Sequence, residues 1–265
     1  MNRTVIVMLA SGLSRRYGRR DKMLADLGGR PLIEHAASMI SEVHPLARVA
    51  VCPSDRPTIG ERLINRFVIA INKKPKLGLG HSIAVGVNVA LQFKPDAILI
   101  VMGDMPFVES WILEGVMERM TEGVDIVHSG GADGVRPPTA FGPATFDQLA
   151  ALDGDDGAKR IIGQGGFNVV GFGAPAPLLL DIDTKEELAL AERQVAIRKR
   201  YANSPSNPIE VQPLAIPQTA EQPVEQSLTP SQSVNEPEIE PVNIGRPSPH
   251  EAGGVISFGS ARKRR

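Results

Sequence analysis

Leu9-Ala10-Ser11-Gly12-Leu13-Ser14-Arg15-Arg16-Tyr17-Gly18-Arg19-Arg20-Asp21-Lys22 follows directly on the apolar run Thr4–Leu9, and its reading decides the fold. A short apolar run that breaks into small residues and glycine is a buried strand leaving a sheet. Open α/β sheets bind their ligands beyond such strand ends. The small side chains at 10–12 let backbone N–H groups approach a flat base or a phosphate, and Gly12 and Gly18 permit tight or left-handed turns. Arg15, Arg16, Arg19, Arg20 and Lys22 put five cations into eight positions, enough to neutralise a triphosphate. The spacing is neither the GxxxxGKS/T of a P-loop nor the GxGxxG of a dinucleotide loop. A merely solvated basic loop would need no run of small residues at a strand end, so the stretch reads as a phosphate-binding loop.

Outward from this loop, apolar runs alternate with amphipathic stretches. Thr4–Leu9, Arg48–Cys52, Phe67–Ile71, Asp96–Met102 and Asp125–Val127 read as strands. Pro31–Val43, Thr58–Asn65, Gly80–Phe93, Ser110–Glu122 and Lys185–Arg200 read as helices, with Pro31 in a first helical turn and Thr184 and Glu187 at capping-box spacing. The alternation predicts one α/β domain over residues 1–200. Its sheet is open, mostly parallel and Rossmann-like, with helices on both faces. Cys52 falls at a strand end, where it reads as core.

Further segments bear polar chemistry. Asp104, in Val101-Met102-Gly103-Asp104-Met105-Pro106, ends a central strand, where a carboxylate has a poor environment unless it ligates a cation or caps a helix. It reads as a Mg²⁺ ligand or as the cap of a helix near Val108. Asp181-Ile182-Asp183-Thr184 closes the last strand-like run, and one of its carboxylates reads as a second metal ligand or, for Asp183, as a helix cap. Gly78-Leu79-Gly80-His81-Ser82 opens a helix whose N-terminus favours an anion or a polar base edge. Gly154-Asp155-Asp156-Gly157-Ala158-Lys159 reads as another helix start capped by Asp155 or Asp156, beside the stiff loop Arg136-Pro137-Pro138-Thr139. A lone His81 is weak evidence of contact. No Ser/His/Asp or Cys/His nucleophile set and no zinc spacing occurs. A basic loop with a carboxylate and no nucleophile suits direct phosphoryl or nucleotidyl transfer, in which positioning and charge neutralisation dominate.

Composition narrows the class. The 265 residues hold 29 Lys+Arg against 30 Asp+Glu, a net charge of -1, which argues against a protein that coats nucleic acid. One cysteine excludes an internal disulfide and suits a reducing cytoplasm. The longest apolar runs fall far short of the roughly 20 residues a membrane helix needs. Ten of the 22 prolines lie after residue 200, among Gln, Ser, Asn and Glu, and no Lys or Arg occurs between Arg200 and Arg246. Residues 201–265 are therefore expected to be a disordered tail with a basic end, Arg262–Arg265.

With these residues in view, the chain resembles the molybdenum cofactor nucleotidyltransferases, of MobA-like NTP transferase type, and their molybdopterin cytidylyltransferase branch most. Leu9–Lys22 is similar to the family signature LxxGxSxRMGxxxK, with Gly12, Ser14, Arg16, Gly18 and Lys22 in place and Tyr17 where Met is usual. Leu24–Leu32, Gly103–Pro106, Gly154–Lys159 and Asp181–Thr184 follow in family order, so the resemblance spans residues 3–195. It departs at Ser11, at Met105 and at Pro137-Pro138. The resemblance implies the fold of nucleotidyltransferases and nucleotide-diphospho-sugar transferases. It also implies Mg²⁺-dependent transfer of a nucleoside monophosphate from an NTP, CTP ahead of GTP, to the terminal phosphate of molybdopterin, with release of pyrophosphate. Arg16, Lys22 and Asp104 would then be catalytic. Leu9, Ala10, Ser11, Gly12, Lys22, Gly80 and Ser82 would hold the nucleotide, and Arg136, Thr139, Asp155 and Gly157 the acceptor. Asp104 with Asp183 (or Asp181) would hold the metal. Two alternatives stand beside it: a nucleotidyltransferase acting on a sugar 1-phosphate or another phosphorylated metabolite, and a non-catalytic nucleotide-binding maturation factor whose tail holds a molybdoenzyme or another maturation protein.

Overall fold

The structure, a computed structural model, describes residues 3–14, 16–18, 21–131 and 134–202. Arg15, Arg19 and Arg20 lie outside the described residues, as does the expected tail from residue 203 onward. In chain order the elements are β1 (Thr4–Leu9), β2 (Asp26–Leu27), β3 (Arg30–Pro31), α1 (Leu32–Glu42), β4 (Ala47–Pro53), α2 (Pro57–Leu63), β5 (Val68–Asn72), α3 (Leu79–Ala90), β6 (Ala97–Met102), α4 (Ser110–Glu118), β7 (Ile126–His128), β8 (Thr139–Phe141), α5 (Phe146–Ala150), α6 (Lys159–Gly163), β9 (Val169–Gly171) and α7 (Lys185–Ala202).

Seven strands form one sheet in the order β5-β4-β1-β6-β8-β7-β9, and β2 with β3 forms a separate hairpin. The first four run parallel, β8 runs antiparallel to both of its neighbours, and β9 pairs parallel with β7. All six residues of β1 are buried. Ile6 and Met8 pack on one face with Ile33 and Ile40 of α1, Ile59 of α2 and Ile112 of α4. Val5, Val7 and Leu9 pack on the other with Ile83 and Val87 of α3, Leu149 of α5 and Ile161 of α6. A strand covered on both faces has no solvent side, which is why this segment is apolar throughout rather than alternating. A Cβ on Gly86 would collide with the Val7 and Val51 side chains, so glycine there lets α3 lie close against the sheet.

The expected strands and helices are present, with ends shifted by a few residues. Four expectations are corrected. Pro31 stands ahead of α1, paired with Asp26 in the hairpin, rather than inside the first turn. Neither Asp155 nor Asp156 caps a helix, because α6 starts at Lys159 behind Ala158, and Gly154 and Gly157 instead turn the chain at positive φ. Asp181–Thr184 closes no strand; it follows a 3-10 turn at Ala176–Leu179. Asp104 caps nothing near Val108, since α4 begins at Ser110 behind Glu109. The capping box is found: the Glu187 amide donates to Thr184 Oγ1 at 3.1 Å, and Glu187 Oε2 accepts from the Thr184 amide at 2.9 Å. Cys52 is buried as expected. Among the described residues no helix is long and apolar enough to cross a membrane.

Candidate active site

The carboxyl ends of β1 and β6 lie side by side, joined where the Gly103 amide donates to the Leu9 carbonyl at 2.9 Å. A Cβ on Gly103 would meet Ile33 Cδ1 at 2.6 Å and the Leu9 carbonyl at 3.0 Å, so only glycine lets the two strand ends approach this closely. A cavity of about 260 Å³ opens above them, with Leu9, Ser11, Gly12, Lys22, Asp104 and Asp183 in its wall.

Its charged floor joins three distant segments. Lys22 Nζ donates to Asp104 Oδ2 at 2.5 Å and to Asp183 Oδ1 at 2.6 Å. Arg16 donates to the other oxygen of Asp183. The Ile182 amide donates to the Asp104 carbonyl at 3.0 Å, which fixes the Asp181–Thr184 segment beside the β6 end. Asp181 itself is exposed, and it is Asp183 that meets Lys22. Burial alone would lower the Lys22 pKa, but the charge and hydrogen bond of Asp104, aided by Asp183, hold it above the ordinary lysine value. Burial, chiefly, with the charges of Asp181 and Asp183, holds the Asp104 carboxyl above the usual carboxylate range against the charge and hydrogen bond of Lys22. Burial also works to raise Asp183, yet the hydrogen bond and charge of Lys22, with the charge of Arg16, hold it below the usual carboxylate range. Asp104 Oδ1 is buried without a hydrogen-bond partner among the described residues. Among the described residues no three His, Cys, Asp or Glu side chains gather as a complete metal cage.

Beside the charges lies a buried neutral network. Ser11 Oγ donates to Ser82 Oγ at 2.8 Å, and Ser82 Oγ donates on to the Gly78 carbonyl at 3.2 Å. The Asn72 amide, fully buried at the end of β5, donates to Ser82 Oγ at 3.1 Å and to Ser11 Oγ at 3.4 Å. Every hydroxyl hydrogen is thus committed within the protein, and Ser11 and Ser82 face the cavity as a fixed polar surface.

A second cavity of about 160 Å³ adjoins the first, sharing Leu9, Leu79, Met102 and Asp155. Its walls are chiefly apolar, from Ile83, Ile100, Phe141 and Pro137, with Thr139, Asp156 and Lys159 at polar points. The segments around Gly78 and Gly154 close against each other between the two. The Gly80 amide donates to the Gly154 carbonyl at 2.7 Å, and the Gly154 amide donates to the Leu77 carbonyl at 3.1 Å.

Residues 6–169 match the family model described as the MobA-like NTP transferase domain. The chain belongs to this family. The MobA-like transferase is 27% identical over 199 residues to the purine catabolism protein PucB of Bacillus subtilis, covering 72% of this chain and 96% of PucB. It is 24% identical over 168 residues to the bifunctional protein GlmU of Francisella philomiragia, covering 61% of this chain and only 36% of GlmU. Among solved structures, a nucleotidyl transferase from Methanothermobacter thermautotrophicus superposes with TM-score 0.63 at 22% identity, over 75% of this chain and all of that one. The molybdopterin-guanine dinucleotide biosynthesis protein A of Archaeoglobus fulgidus superposes with TM-score 0.52 at 23% identity, over 73% of this chain and 99% of that one. These likenesses carry the fold, and the family match makes the chain a nucleotidyltransferase.

Within the MobA-like transferase, Leu9, Ser11, Gly12, Arg16, Lys22, Ser82, Asp104 and Asp183 meet around one cavity. Ala10 lies behind the wall, its amide donating to Val51. Gly80 is buried against Asp153 and Gly154, where a Cβ would meet the Asp153 carbonyl at 2.7 Å, and it does not line the cavity, unlike its neighbours Leu79 and Ser82. His81 lines neither cavity. Of the expected acceptor residues, Thr139 and Asp155 line the second cavity, whereas Arg136 and Gly157 do not. The Arg136 carbonyl accepts from Thr139 Oγ1 at 3.1 Å, and Gly157 packs under Leu79 at φ +57. Asn72 was not legible in the sequence as a site residue, because it closes an ordinary strand.

Proposed function

We propose that this nucleotidyltransferase moves a nucleoside monophosphate, from CTP in preference to GTP, to the terminal phosphate of molybdopterin and releases pyrophosphate, working in the cytoplasm. The observation that carries the reading is the convergence of Lys22, Asp104, Asp183 and Arg16 on the floor of a cavity that opens onto a second, apolar one. The nucleotide sits in the first, its base against Leu9, Ser11, Gly12 and the Ser82 hydroxyl, its triphosphate along Arg16 and Lys22. The acceptor sits in the second. An acceptor phosphate oxygen attacks the α-phosphorus in line, the bond to the β-phosphate breaks, and its electron pair leaves with pyrophosphate. Lys22, held protonated by its carboxylates, offsets the charge that develops on the α-phosphate and the leaving group. No nucleophile of the protein is needed, because the acceptor supplies the attacking oxygen.

The residues also fit a divalent cation. Asp104 Oδ1 is a buried carboxylate oxygen without a donor among the described residues, and Asp183 stands across Lys22 from it. Two hard oxygen donors suit Mg²⁺ or Mn²⁺, whose other positions are ordinarily taken by water and substrate phosphates. Bound there, the ion would neutralise phosphate charge; Mg²⁺ is the one we favour.

The second cavity supports a flat acceptor such as a pterin, whose ring faces would lie on Ile83, Ile100, Met102, Pro137 and Phe141 while its polar edge meets Thr139, Asp156 and Lys159, over a sugar, whose hydroxyls project all round the ring. The resemblance of Leu9–Lys22 to the cytidylyltransferase branch supports CTP. The tail is assigned to holding a protein partner in cofactor delivery and not to chemistry. The test is pyrophosphate release by the full chain with Mg²⁺, molybdopterin or glucose 1-phosphate, and CTP or GTP, each with and without EDTA. Release with molybdopterin and CTP, abolished by EDTA and reduced at least ~100-fold in Lys22→Ala and Asp104→Ala, is the expected result. Release only with the sugar phosphate would overturn the acceptor, and wild-type turnover in either variant would overturn the mechanism.

A further inference from the structure

We infer that Arg56 is a positioning residue for nucleotidyl transfer: its guanidinium ties Gly12 to Asp21, the two ends of the glycine-and-cation loop, and so holds Ser14 and Lys22 in place to receive the triphosphate. The inference rests on the reading of Gly12–Lys22 as the triphosphate loop. Arg56 Nη1 donates to Asp21 Oδ2 at 2.8 Å, and Nη2 donates to the Gly12 carbonyl at 2.9 Å. Residues 12 and 21 are the entry and exit of the loop, so one planar fork closes it. The loop needs such a closure. Its described residues form no strand or helix before the 3-10 turn at Lys22–Leu24, and they pass through positive φ at Ser14 (+52) and Gly18 (+103). A non-glycine residue in that region persists only where its surroundings over-determine it.

From Arg56 the order passes directly to Lys22. The second oxygen of Asp21 accepts from the Met23 amide at 2.9 Å and from the Ser14 hydroxyl at 3.4 Å. Ser14 Oγ accepts in turn from the Lys22 amide at 3.3 Å. Asp21 therefore caps the turn that carries Lys22, and Arg56 fixes Asp21. Arg56 stands between the end of β4 and the start of α2, so the loop is tied to a rigid strand neighbouring β1. Its guanidinium does not line the cavity, and its charge is engaged by Asp21, with Asp55 at 3.5 Å. It acts through the loop and not on the phosphates. Lysine cannot replace it fully, since a single ammonium has no fork to reach both a carboxylate and a carbonyl set apart.

Without Arg56 the loop must be ordered when the nucleotide binds, which weakens binding and leaves the bound complex nearly as competent. The experiment uses the full chain as wild type, Arg56→Ala, Arg56→Lys, Asp21→Asn and the Arg56→Ala/Asp21→Asn double variant. CTP affinity is measured by calorimetry without acceptor, steady-state pyrophosphate release over a range of CTP, and thermal unfolding as a control. For Arg56→Ala the Kd and KM for CTP should rise at least ~10-fold while kcat falls no more than ~5-fold. Arg56→Lys should recover part of the affinity, and the double variant should be little worse than either single one. An Arg56→Ala chain with unchanged Kd and KM would overturn the inference, as would a ~100-fold loss of kcat at unchanged KM, which marks a direct contact with reacting atoms. If Arg56→Ala does not fold, Arg56→Lys and Asp21→Asn carry the same test, and wild-type CTP affinity in both overturns it. A wild-type chain that binds neither CTP nor GTP overturns the functional reading instead, so the two failures are distinguishable.

Discussion

Replacing Lys22 with alanine isolates what holds the charged floor together. Lys22 and Asp104 side chains are 6% and 7% exposed, and Asp183 is 16% exposed. The variant thus leaves two carboxylates close together in a nearly dry site. Removing one partner of a buried ion pair costs about 3–5 kcal/mol, chiefly because the other charge stays buried. The penalty depends on pH, and its sign follows from the shifts. In the wild type the carboxylates hold the Lys22 pKa above its unfolded value, so its contribution is complete below the ordinary lysine range and is lost only as pH rises through the raised value. In the variant Asp104, already pushed up by burial and by Asp181 and Asp183, loses the Lys22 cation that drew it down. A carboxyl with a raised folded pKa takes up a proton on folding, so the variant recovers stability as pH falls, by up to about 1.4 kcal/mol per unit. Urea unfolding at about pH 8 should give a midpoint lower by roughly 1–2 M, for a slope of about 2–3 kcal/mol/M, and a clearly smaller gap at about pH 5. A penalty under ~1 kcal/mol, or one equal at the two pH values, would refute the account of a dry, carboxylate-rich site that depends on Lys22.

Three further outcomes follow from the packing. Asn72→Ala strips the buried Ser11 and Ser82 hydroxyls of their amide donor and should destabilise the fold by about 1–3 kcal/mol in urea unfolding while weakening CTP binding in calorimetry; unchanged values in both would remove the network from the site. Gly86→Ala drives a methyl group into Val7 and Val51 and should cost about 1–3 kcal/mol, read as a Tm several degrees lower; an unchanged Tm would mean that α3 does not lie as close to the sheet as described. Burial pushes the Cys52 thiol up to about 12, so a thiol reagent near pH 8 should label it only after urea is added; rapid labelling of the native chain would contradict the buried position.

Much of the site was legible because its signals are local. The apolar run Thr4–Leu9, the glycines at 12 and 18 and the cations through Lys22 are contiguous, and they mark a buried strand that runs into a loop rich in small residues and cations. Asp104 stood out for a similar reason, as a carboxylate at the end of an apolar strand. Thr184 and Glu187 declared a helix start because capping is settled within one turn. Strands β8 and β9, three residues each, were missed, since no periodicity shows over so short a span and antiparallel insertion beside β6 is a property of the sheet. Gly80, expected at the nucleotide, lies against Asp153 and Gly154, because a glycine beside a helix start looks alike whether it faces a ligand or a neighbouring loop; Asp155 caps no helix, since α6 starts only at Lys159, though it does line the second cavity. Asp181 and Asp183 stood as alternatives for the second metal ligand in the sequence; the fold brings Asp183 to Lys22 and leaves Asp181 exposed. The sequence by itself thus determined the class of fold and the chemistry carried at one strand end. Only the tertiary structure decided the partners: Lys22 reaches Asp104 across 82 positions and Asp183 across 161, and Arg56 reaches Gly12 across 44. Side-chain direction and desolvation arise when strands come side by side, and no local pattern encodes them.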